Sequence, residues 1–162
     1  MEHLWTPWRF DYVTGDKSDG CVLCEKWQER TDRDNLVLLR GAHTYILMNL
    51  FPYNPGHLMV TPAAHVATLP ELDAPARAEI FELASLATEV VGLVMTPHGF
   101  NLGMNLGRPA GAGIADHLHL HVVPRWNGDT NFMPLLANTR VLPETLFQTY
   151  DRLQPAFMAA NG

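Results

Sequence analysis

The chain has 162 residues, 47% of them hydrophobic and 17% charged, which predicts one globular domain with a sizeable core. Its net charge of -6 argues against non-specific nucleic-acid binding, which needs clustered lysine and arginine against phosphates. No apolar run reaches the roughly 18 residues of a membrane span, and the N-terminus MEHLWTPWRF lacks the features of a signal or transit peptide, so we expect a cytoplasmic protein.

In residues 1–34 polar and aromatic side chains alternate without a regular period, and this composition predicts an irregular N-terminal arm. This arm contains the two cysteines of the chain, Cys21 and Cys24, spaced C-V-L-C. In a cytosolic protein this spacing indicates half of a zinc site or a redox pair before it indicates a structural disulfide. Two unrelated thiols remain the alternative.

Three short segments that are rich in strand-forming residues follow the arm, at 35–40, 43–50 and 57–62. The sequence FPYNPG turns the chain between the second and the third, so these two are expected to form an antiparallel pair.

The stretch 70–96 is the clearest helix of the sequence. Asp73 is a good N-cap, Pro75 is tolerated in the first turn, and Pro97 and Gly99 end the helix. Its apolar residues recur every three or four positions and form one stripe. The stripe consists of Ile80, Leu83, Ala87, Val90, Val91 and Val94.

A strand at 100–106, a loop at 107–113 and a last core strand at 117–125 come next, and residues 142–153 predict a closing helix. The predicted class is α+β, with an antiparallel sheet and one long helix. We expect a single domain over 1–162, with a core at 35–126 and a C-terminal extension at 127–162.

The most informative segment is DHLHLHVVPRW at 116–126. His117, His119 and His121 occupy every second position, so in a strand they share one face, while the aliphatic residues between them share the other. The aliphatic face predicts core, and the histidine face predicts a ligand, metal or substrate. The preceding loop GRPAGAG is suited to binding phosphate through its backbone N–H groups.

Three chemical interpretations are open for the three histidines. A neutral imidazole is a good nucleophile and general base near pH 7, which suits covalent phosphoryl or nucleotidyl transfer. Three histidines and a water also form a known catalytic zinc site. The third interpretation is a solvent-exposed strand face on which the three histidines occur by chance.

The segment HLHLHVV after a glycine-rich loop resembles the signature of the histidine triad family of nucleotide hydrolases and transferases. NPGHLMVTP at 54–62 resembles the upstream strand of this family, and the order of strands, helix and glycine loop matches as well. LWTPWR near the start and PRWNGDTNF after the triad resemble the branch that includes bacterial diadenosine tetraphosphate phosphorylases. The resemblance implies a HIT-like fold and a homodimer.

The resemblance also implies roles for individual residues. His119 is the expected nucleophile, His121 contacts the phosphate or the leaving-group oxygen, and His57 supports both by hydrogen bonding. Asn49 matches a ribose contact and Asn105 a phosphate contact. The remaining nucleotide-binding candidates are Ala112 and Gly113, through their backbone N–H groups, and Trp126 in the PRW segment.

One departure from the family pattern concerns the phosphate site. The family usually has Gln, Ser or Thr three to four residues before the triad, where this chain has Gly113 and Ile114. A side-chain phosphate contact is therefore missing, and leaving-group preference is in doubt.

A structural zinc site is also implied by resemblance to some bacterial triad proteins. It would consist of Cys21, Cys24, His65 and His117, a closed tetrahedral set that removes His117 from catalysis. No organic cofactor is expected.

The sequence thus favours an enzyme that transfers or hydrolyses the nucleotidyl group of purine nucleotide conjugates, with dinucleoside polyphosphates as the expected small-molecule substrates. Two alternatives remain open. One is a zinc hydrolase in which the triad binds a catalytic metal, and the other is a nucleotide-binding sensor with little turnover. Neither nucleic acid nor membrane is an expected partner.

Overall fold

The structure, a computed structural model, describes residues 20–129 and 144–161. The LWTPWR segment, the last three residues of PRWNGDTNF and the start of the predicted closing helix lie outside the described residues.

Five antiparallel strands form one sheet in the order β1-β2-β3-β5-β4. The strands are β1 (Val37–Arg40), β2 (Thr44–Met48), β3 (Leu58–Pro62), β4 (Gly99–Met104) and β5 (Leu120–Arg125). The predicted pairing of the second and third strands is confirmed, because β2 and β3 pair over their whole length. The observed architecture is the predicted α+β class.

Hydrophobic side chains pack on both faces of the sheet, as the alternating residues of β2 show. Ile46 and Met48 point into the larger core, whereas Tyr45 and Leu47 point into a smaller cluster on the opposite face. Successive strand residues face opposite ways, so a wholly apolar strand supplies two cores at once.

The long helix α2 (Ala74–Met95) covers the larger core. Its first turn is capped by Asp73, which accepts a hydrogen bond from the backbone N–H of Ala76, and its end is marked by Thr96 in the left-handed region. The predicted apolar stripe faces the sheet. Of the six predicted residues, Ile80, Leu83, Ala87, Val90 and Val91 are buried and Val94 is half-buried against the same core; Ala76 and Ala84 are buried in addition.

The N-terminal arm is not irregular throughout, as the sequence had suggested. Residues Val22–Gln28 form a helix, α1, on the face opposite α2. It buries Leu23, whose carbonyl accepts a 2.6 Å hydrogen bond from the hydroxyl of Tyr45. A helix of seven residues with one buried side chain depends on such tertiary contacts, and these leave no periodic pattern in the sequence.

The closing helix, α3 (Leu146–Ala160), extends further towards the C-terminus than predicted. Tyr150, Leu153 and Phe157 join the larger core, so this part of the C-terminal extension is an integral part of the domain. No helix within the described ranges 20–129 and 144–161 is both long and apolar enough to cross a membrane.

Candidate active site

The three alternating histidines have different surroundings, and the first two precede the strand. The predicted strand from 117 is too long at its start, since β5 begins at Leu120. The alternation itself is confirmed, because Leu118, Leu120 and Val122 all lie in the larger core.

His119 is 5% exposed and has a defined neutral form. Its Nδ1 lies 2.8 Å from the carbonyl oxygen of His117. A carbonyl only accepts, so Nδ1 carries the proton and donates, and the lone pair resides on Nε2. Burial lowers the pKa of His119 and outweighs the opposing effect of this hydrogen bond, which favours the neutral, nucleophilic form.

His121 and His57 form a hydrogen-bonded pair beside His119. The backbone N–H of Tyr53 donates to Nδ1 of His57 over 3.0 Å, so the neutral His57 ring carries its proton on Nε2. That Nε2 donates to Nδ1 of His121 at 2.9 Å, which assigns the His121 proton to its own Nε2. The rings of His119 and His121 meet edge-on, with their centroids 4.8 Å apart. A nucleophilic nitrogen and an N–H donor therefore belong to adjacent rings.

A cleft of about 650 Å³ opens beside His121. Gly103 lies opposite His121 in the β4–β5 register and also lines the cleft, which leaves room next to the imidazole. The walls combine polar and apolar side chains from β4, β5, the glycine loop and the β2–β3 loop. They include Tyr53, Asn54, Asn101, Leu102, Met104, Asn105, Ala110, Gly111, Val123, Arg125 and Asp129.

Among the predicted nucleotide-binding residues, Asn105 lines this cleft and donates weakly to the Gly111 carbonyl at 3.5 Å. Asn49 lies instead at the His57 ring, with its Nδ2 3.5 Å from Nε2. The backbone N–H of Ala112 is directed at the Gly107 carbonyl over 3.4 Å, and that of Trp126 donates to Asp129. Gly113 is half-buried in the loop between them.

Positive φ angles at Gly107 and Gly111 confirm that the loop needs glycine at its two turns. Several cleft residues were missed by sequence reasoning, notably Asn54, Asn101, Arg125 and Asp129. The sequence signals for them were the NPGHLMVTP segment, which contains Asn54, and the PRWNGD segment, which contains Arg125 and Asp129; both indicate a family and not the position of a side chain.

The four predicted metal ligands Cys21, Cys24, His65 and His117 come together, with their ligand atoms all within 4.8 Å of one another. The Sγ of Cys21 lies 3.2 Å from Nδ1 of His117, and the Sγ of Cys24 lies 3.4 Å from Nδ1 of His65. The two histidine Nδ1 atoms are 3.3 Å apart. Tetrahedral zinc with ordinary bond lengths requires N–N edges of about 3.3 Å and S–N edges of about 3.6 Å. These separations are close to the required edges, so the four residues are possible ligands of a metal ion.

One further feature fits this set of ligands to a metal. Nε2 of His117 lies 2.9 Å from the Pro62 carbonyl, so it donates there and leaves Nδ1 as the ligand atom. Burial, aided by a hydrogen bond with Cys21, raises the pKa of the Cys24 thiol to about 11, so without a cation beside it this thiol is protonated at neutral pH.

Comparison with known proteins agrees with this geometry. The chain is 41% identical to the AP-4-A phosphorylase of Mycobacterium tuberculosis, over 92% of this chain and 80% of that protein. It is 30% identical to the bis(5'-adenosyl)-triphosphatase of Saccharomyces cerevisiae over 56% of this chain, which spans 44% of that protein. The expected enzyme class, a phosphorylase or hydrolase, is confirmed by these relatives.

Solved structures confirm the fold. A Zn-bound histidine triad family protein from Mycobacterium smegmatis superimposes with a TM-score of 0.69 at 20% identity, covering 88% of this chain and 96% of that one. The diadenosine triphosphate hydrolase of Plasmodium falciparum, solved in complex with cyclomarin A, gives a TM-score of 0.59 at 20% identity, covering 78% and 76%. The profile of the HIT domain matches residues 30–128, and the chain therefore belongs to the histidine triad, or HIT domain, family.

Proposed function

We propose that this protein is a nucleotidyl transferase that cleaves dinucleoside polyphosphates, with inorganic phosphate as the acceptor. The observation that carries the proposal is the edge-on contact of two imidazoles: His119, whose lone pair is on Nε2, lies beside His121, whose proton is on Nε2 and which lines the cleft of about 650 Å³. The choice of phosphate as acceptor is supported by the 41% identity to a phosphorylase.

In the first step, Nε2 of His119 attacks the α-phosphorus of the substrate. An N–P bond forms, the P–O bond to the rest of the polyphosphate breaks, and its electron pair leaves with the nucleoside polyphosphate. The charge that develops on the ring is stabilised by the Nδ1–H donation to the His117 carbonyl. The N–H of His121 donates to the departing or non-bridging oxygens.

In the second step, a phosphate oxygen attacks the phosphorus and the N–P bond breaks. Diadenosine tetraphosphate would thus yield ATP in the first step and ADP in the second, with His119 regenerated. Two in-line displacements retain the configuration at the α-phosphorus.

We further propose that Cys21, Cys24, His65 and His117 hold a zinc ion with a structural role. The bound metal would fasten the N-terminal arm to the sheet. This assignment weighs against a catalytic metal on the triad, because within residues 20–129 and 144–161 these four form the cluster with metal-ligand geometry, and His119 and His121 are not in it.

A homodimer is part of the proposal as well. β4 is an edge strand of the described sheet, half of its six residues are exposed, and its Leu102 is 48% exposed. An exposed apolar edge strand is suited to pairing with a second copy of the chain. Sedimentation should show a dimer, and Leu102→Lys should shift it towards monomer. Wild-type protein that is monomeric at micromolar concentration would contradict the proposed homodimer.

The decisive experiment incubates the protein with diadenosine tetraphosphate, with and without phosphate, and separates the products. ATP plus ADP formed only with phosphate supports a phosphorylase, whereas ATP plus AMP in water indicates a hydrolase. Binding without turnover would favour a nucleotide sensor instead.

The covalent step has its own test. After base quenching of a reaction with α-labelled substrate, the label should remain on the peptide containing His119, and acid should release it. A product with inverted configuration and no base-stable label would exclude His119 as nucleophile.

A further inference from the structure

One wall of the cleft contains a network of hydrogen bonds centred on Asp129, which follows β5. Its carboxylate accepts two hydrogen bonds from Arg125, at 2.6 and 2.8 Å, and one from the backbone N–H of Trp126 at 3.2 Å. It also accepts a 2.9 Å hydrogen bond from Nδ2 of Asn54, a buried residue of the β2–β3 loop. This contact spans 75 residues of sequence and joins two loops. The same Nδ2 donates to the Pro124 carbonyl at 3.0 Å, so Asp129 is one of two acceptors that hold the Asn54 amide.

Asn54 is the first residue, and His57 the fourth, of the tight turn between β2 and β3. Its carbonyl accepts from the backbone N–H of His57 at 3.1 Å, with Pro55 and Gly56 between them. Gly56 has a φ of 74°, as the third position of a type II turn requires. A Cβ at Gly56 would lie only 2.7 Å from the sulfur of Met95, so the turn is also closely packed.

The same loop determines the protonation pattern of the histidines. The Tyr53 N–H donates to Nδ1 of His57, and Nε2 of His57 donates to Nδ1 of His121. Tyr53 is adjacent to Asn54, so the position of its N–H depends on where Asn54 is held.

We propose that Asp129 is a positioning residue that, by holding Asn54, keeps the Tyr53 N–H on His57 and so places the proton of His121 on Nε2. This inference rests on the proposed function, because it explains how His121 presents an N–H to a phosphate oxygen.

The chemical consequence of losing this link is specific. Without the Tyr53 donor, His57 is able to place its proton on Nδ1, and its Nε2 then becomes an acceptor. His121 must in that case protonate Nδ1 to pair with it, and a lone pair on its Nε2 would face the anionic substrate. The N–H of His121 that would donate to the phosphate is thereby replaced by a lone pair, which repels the phosphate oxygens.

The charge of Asp129 suits this role. Its hydrogen bonds with Arg125 outweigh burial and hold the pKa of the carboxyl far below its ordinary range. Ionised Asp129 accepts hydrogen bonds only, which matches the donors that surround it.

The first test is Asp129→Asn, with nitrogen-15 NMR of the histidine rings as the readout. Wild-type His57 and His121 should both show protonated Nε2 and unprotonated Nδ1, and the variant should show a mixture of tautomers at both rings. Asp151→Asn is the matched control, because Asp151, on α3, forms an equivalent two-contact pair with Arg33, and its loss should leave the histidine spectrum unchanged. An Asp129→Asn spectrum identical to wild type would overturn the proposal.

If Asp129→Asn does not fold, Asn54→Ser removes the amide that donates to Asp129 and to the Pro124 carbonyl, and it retains the Arg125–Asp129 pair. It should produce the same tautomer mixture. Unchanged tautomers in a folded Asn54→Ser variant would equally overturn the proposal.

The second test is kinetic. In the wild-type background, Asp129→Asn should lower kcat by about 10- to 100-fold with little change in KM. In a His57→Ala background the same substitution should change kcat by less than about threefold, because its effect passes through His57. An equal loss in both backgrounds, or a change confined to KM, would show that Asp129 acts directly on substrate and would refute the positioning role.

The two tests distinguish failure of this inference from failure of the proposed function. If wild-type protein shows no turnover but Asp129→Asn alters the tautomers, the proposed function fails and the positioning role remains. If turnover is found and the tautomers do not respond, the positioning role alone is wrong.

Discussion

The three triad histidines differ in the group that contacts each Nδ1 atom. Nδ1 of His117 faces the two cysteines and His65, that of His119 donates to a carbonyl, and that of His121 accepts from another imidazole. One residue type in one repeating pattern therefore has three separate chemical states. These contacts support the proposed roles of His117 as a metal ligand, His119 as the nucleophile and His121 as the donor.

We predict that His119→Ala reduces turnover of diadenosine tetraphosphate by at least about 1000-fold and leaves nucleotide binding largely intact, because it removes the nucleophile and not the cleft. Steady-state kinetics and calorimetric binding measure the two effects. His43→Ala is the control, since His43 is an exposed histidine at the turn between β1 and β2. A His119→Ala variant with more than about a tenth of the wild-type rate, a loss under about 1.4 kcal/mol, would contradict the covalent role.

At the scale of elements, Glu79 of α2 fastens the turn between β1 and β2 to the helix. Its carboxylate accepts hydrogen bonds from the backbone N–H groups of Ala42 and His43 and from the hydroxyl of Thr44, at 2.7 to 2.8 Å. Burial acts to raise the pKa of Glu79, but these hydrogen bonds outweigh it and leave the pKa below the usual 4.5.

Because the pKa of Glu79 is lowered on folding, the stabilisation is present above pH 4.5 and is lost as pH falls through the folded-state value. We predict that Glu79→Gln lowers the free energy of unfolding by about 1–3 kcal/mol at pH 7, and by less at acidic pH. Urea denaturation at several pH values measures this, and Glu82→Gln, an exposed position on the same helix, is the control. A Glu79 effect as small as that of Glu82 would show that the contact contributes nothing.

The metal-ligand cluster connects α1 to the segments after β3 and before β5. We predict one zinc ion per chain, and we expect its removal by a chelator to lower the melting temperature by about 5 °C or more. Amide exchange in Val22–Gln28 should accelerate, with a smaller change in kcat.

Elemental analysis of Cys24→Ser and His65→Ala should show zinc lost, whereas His43→Ala should retain it. Less than a few tenths of an equivalent in metal-purified wild-type protein, or full zinc in Cys24→Ser, would exclude the site.

At the scale of the whole molecule, α3 covers the part of the larger core that lies beside β1. Phe157 and Leu153 are fully buried, and the hydroxyl of Tyr150 donates to the Val37 carbonyl at 2.9 Å. The C-terminal helix thus contributes to the stability of the sheet edge at β1.

We predict that Phe157→Ala destabilises the protein by about 3–5 kcal/mol, the usual result of removing a buried aromatic ring. Met158→Ala is the control, because Met158 is the next residue and is 56% exposed. Thermal and urea unfolding measure both. Equal, small effects at the two positions would mean that α3 is not part of the cooperative unit.

The sequence by itself determined the features that depend on local periodicity. Alternation at 116–122 assigned the histidines and the aliphatic residues to opposite faces, and the three- to four-residue spacing in 70–96 predicted α2 and its buried stripe. These predictions succeeded because the geometry of a strand or a helix relates neighbouring residues to a face without reference to the rest of the chain. Family resemblance extended them to the four metal-ligand candidates.

Tertiary structure alone decided which distant segments meet. Asn54 reaches Asp129 across 75 residues because the strand order β1-β2-β3-β5-β4 places β3 beside β5. Cys21 reaches His117 across 96 residues because α1, which Cys21 precedes, packs on a face of the sheet. Helix α1 likewise exists through its contact with Tyr45 and not through its own seven residues. Such contacts arise from the packing of complete elements against one another, and no local pattern in the sequence records them.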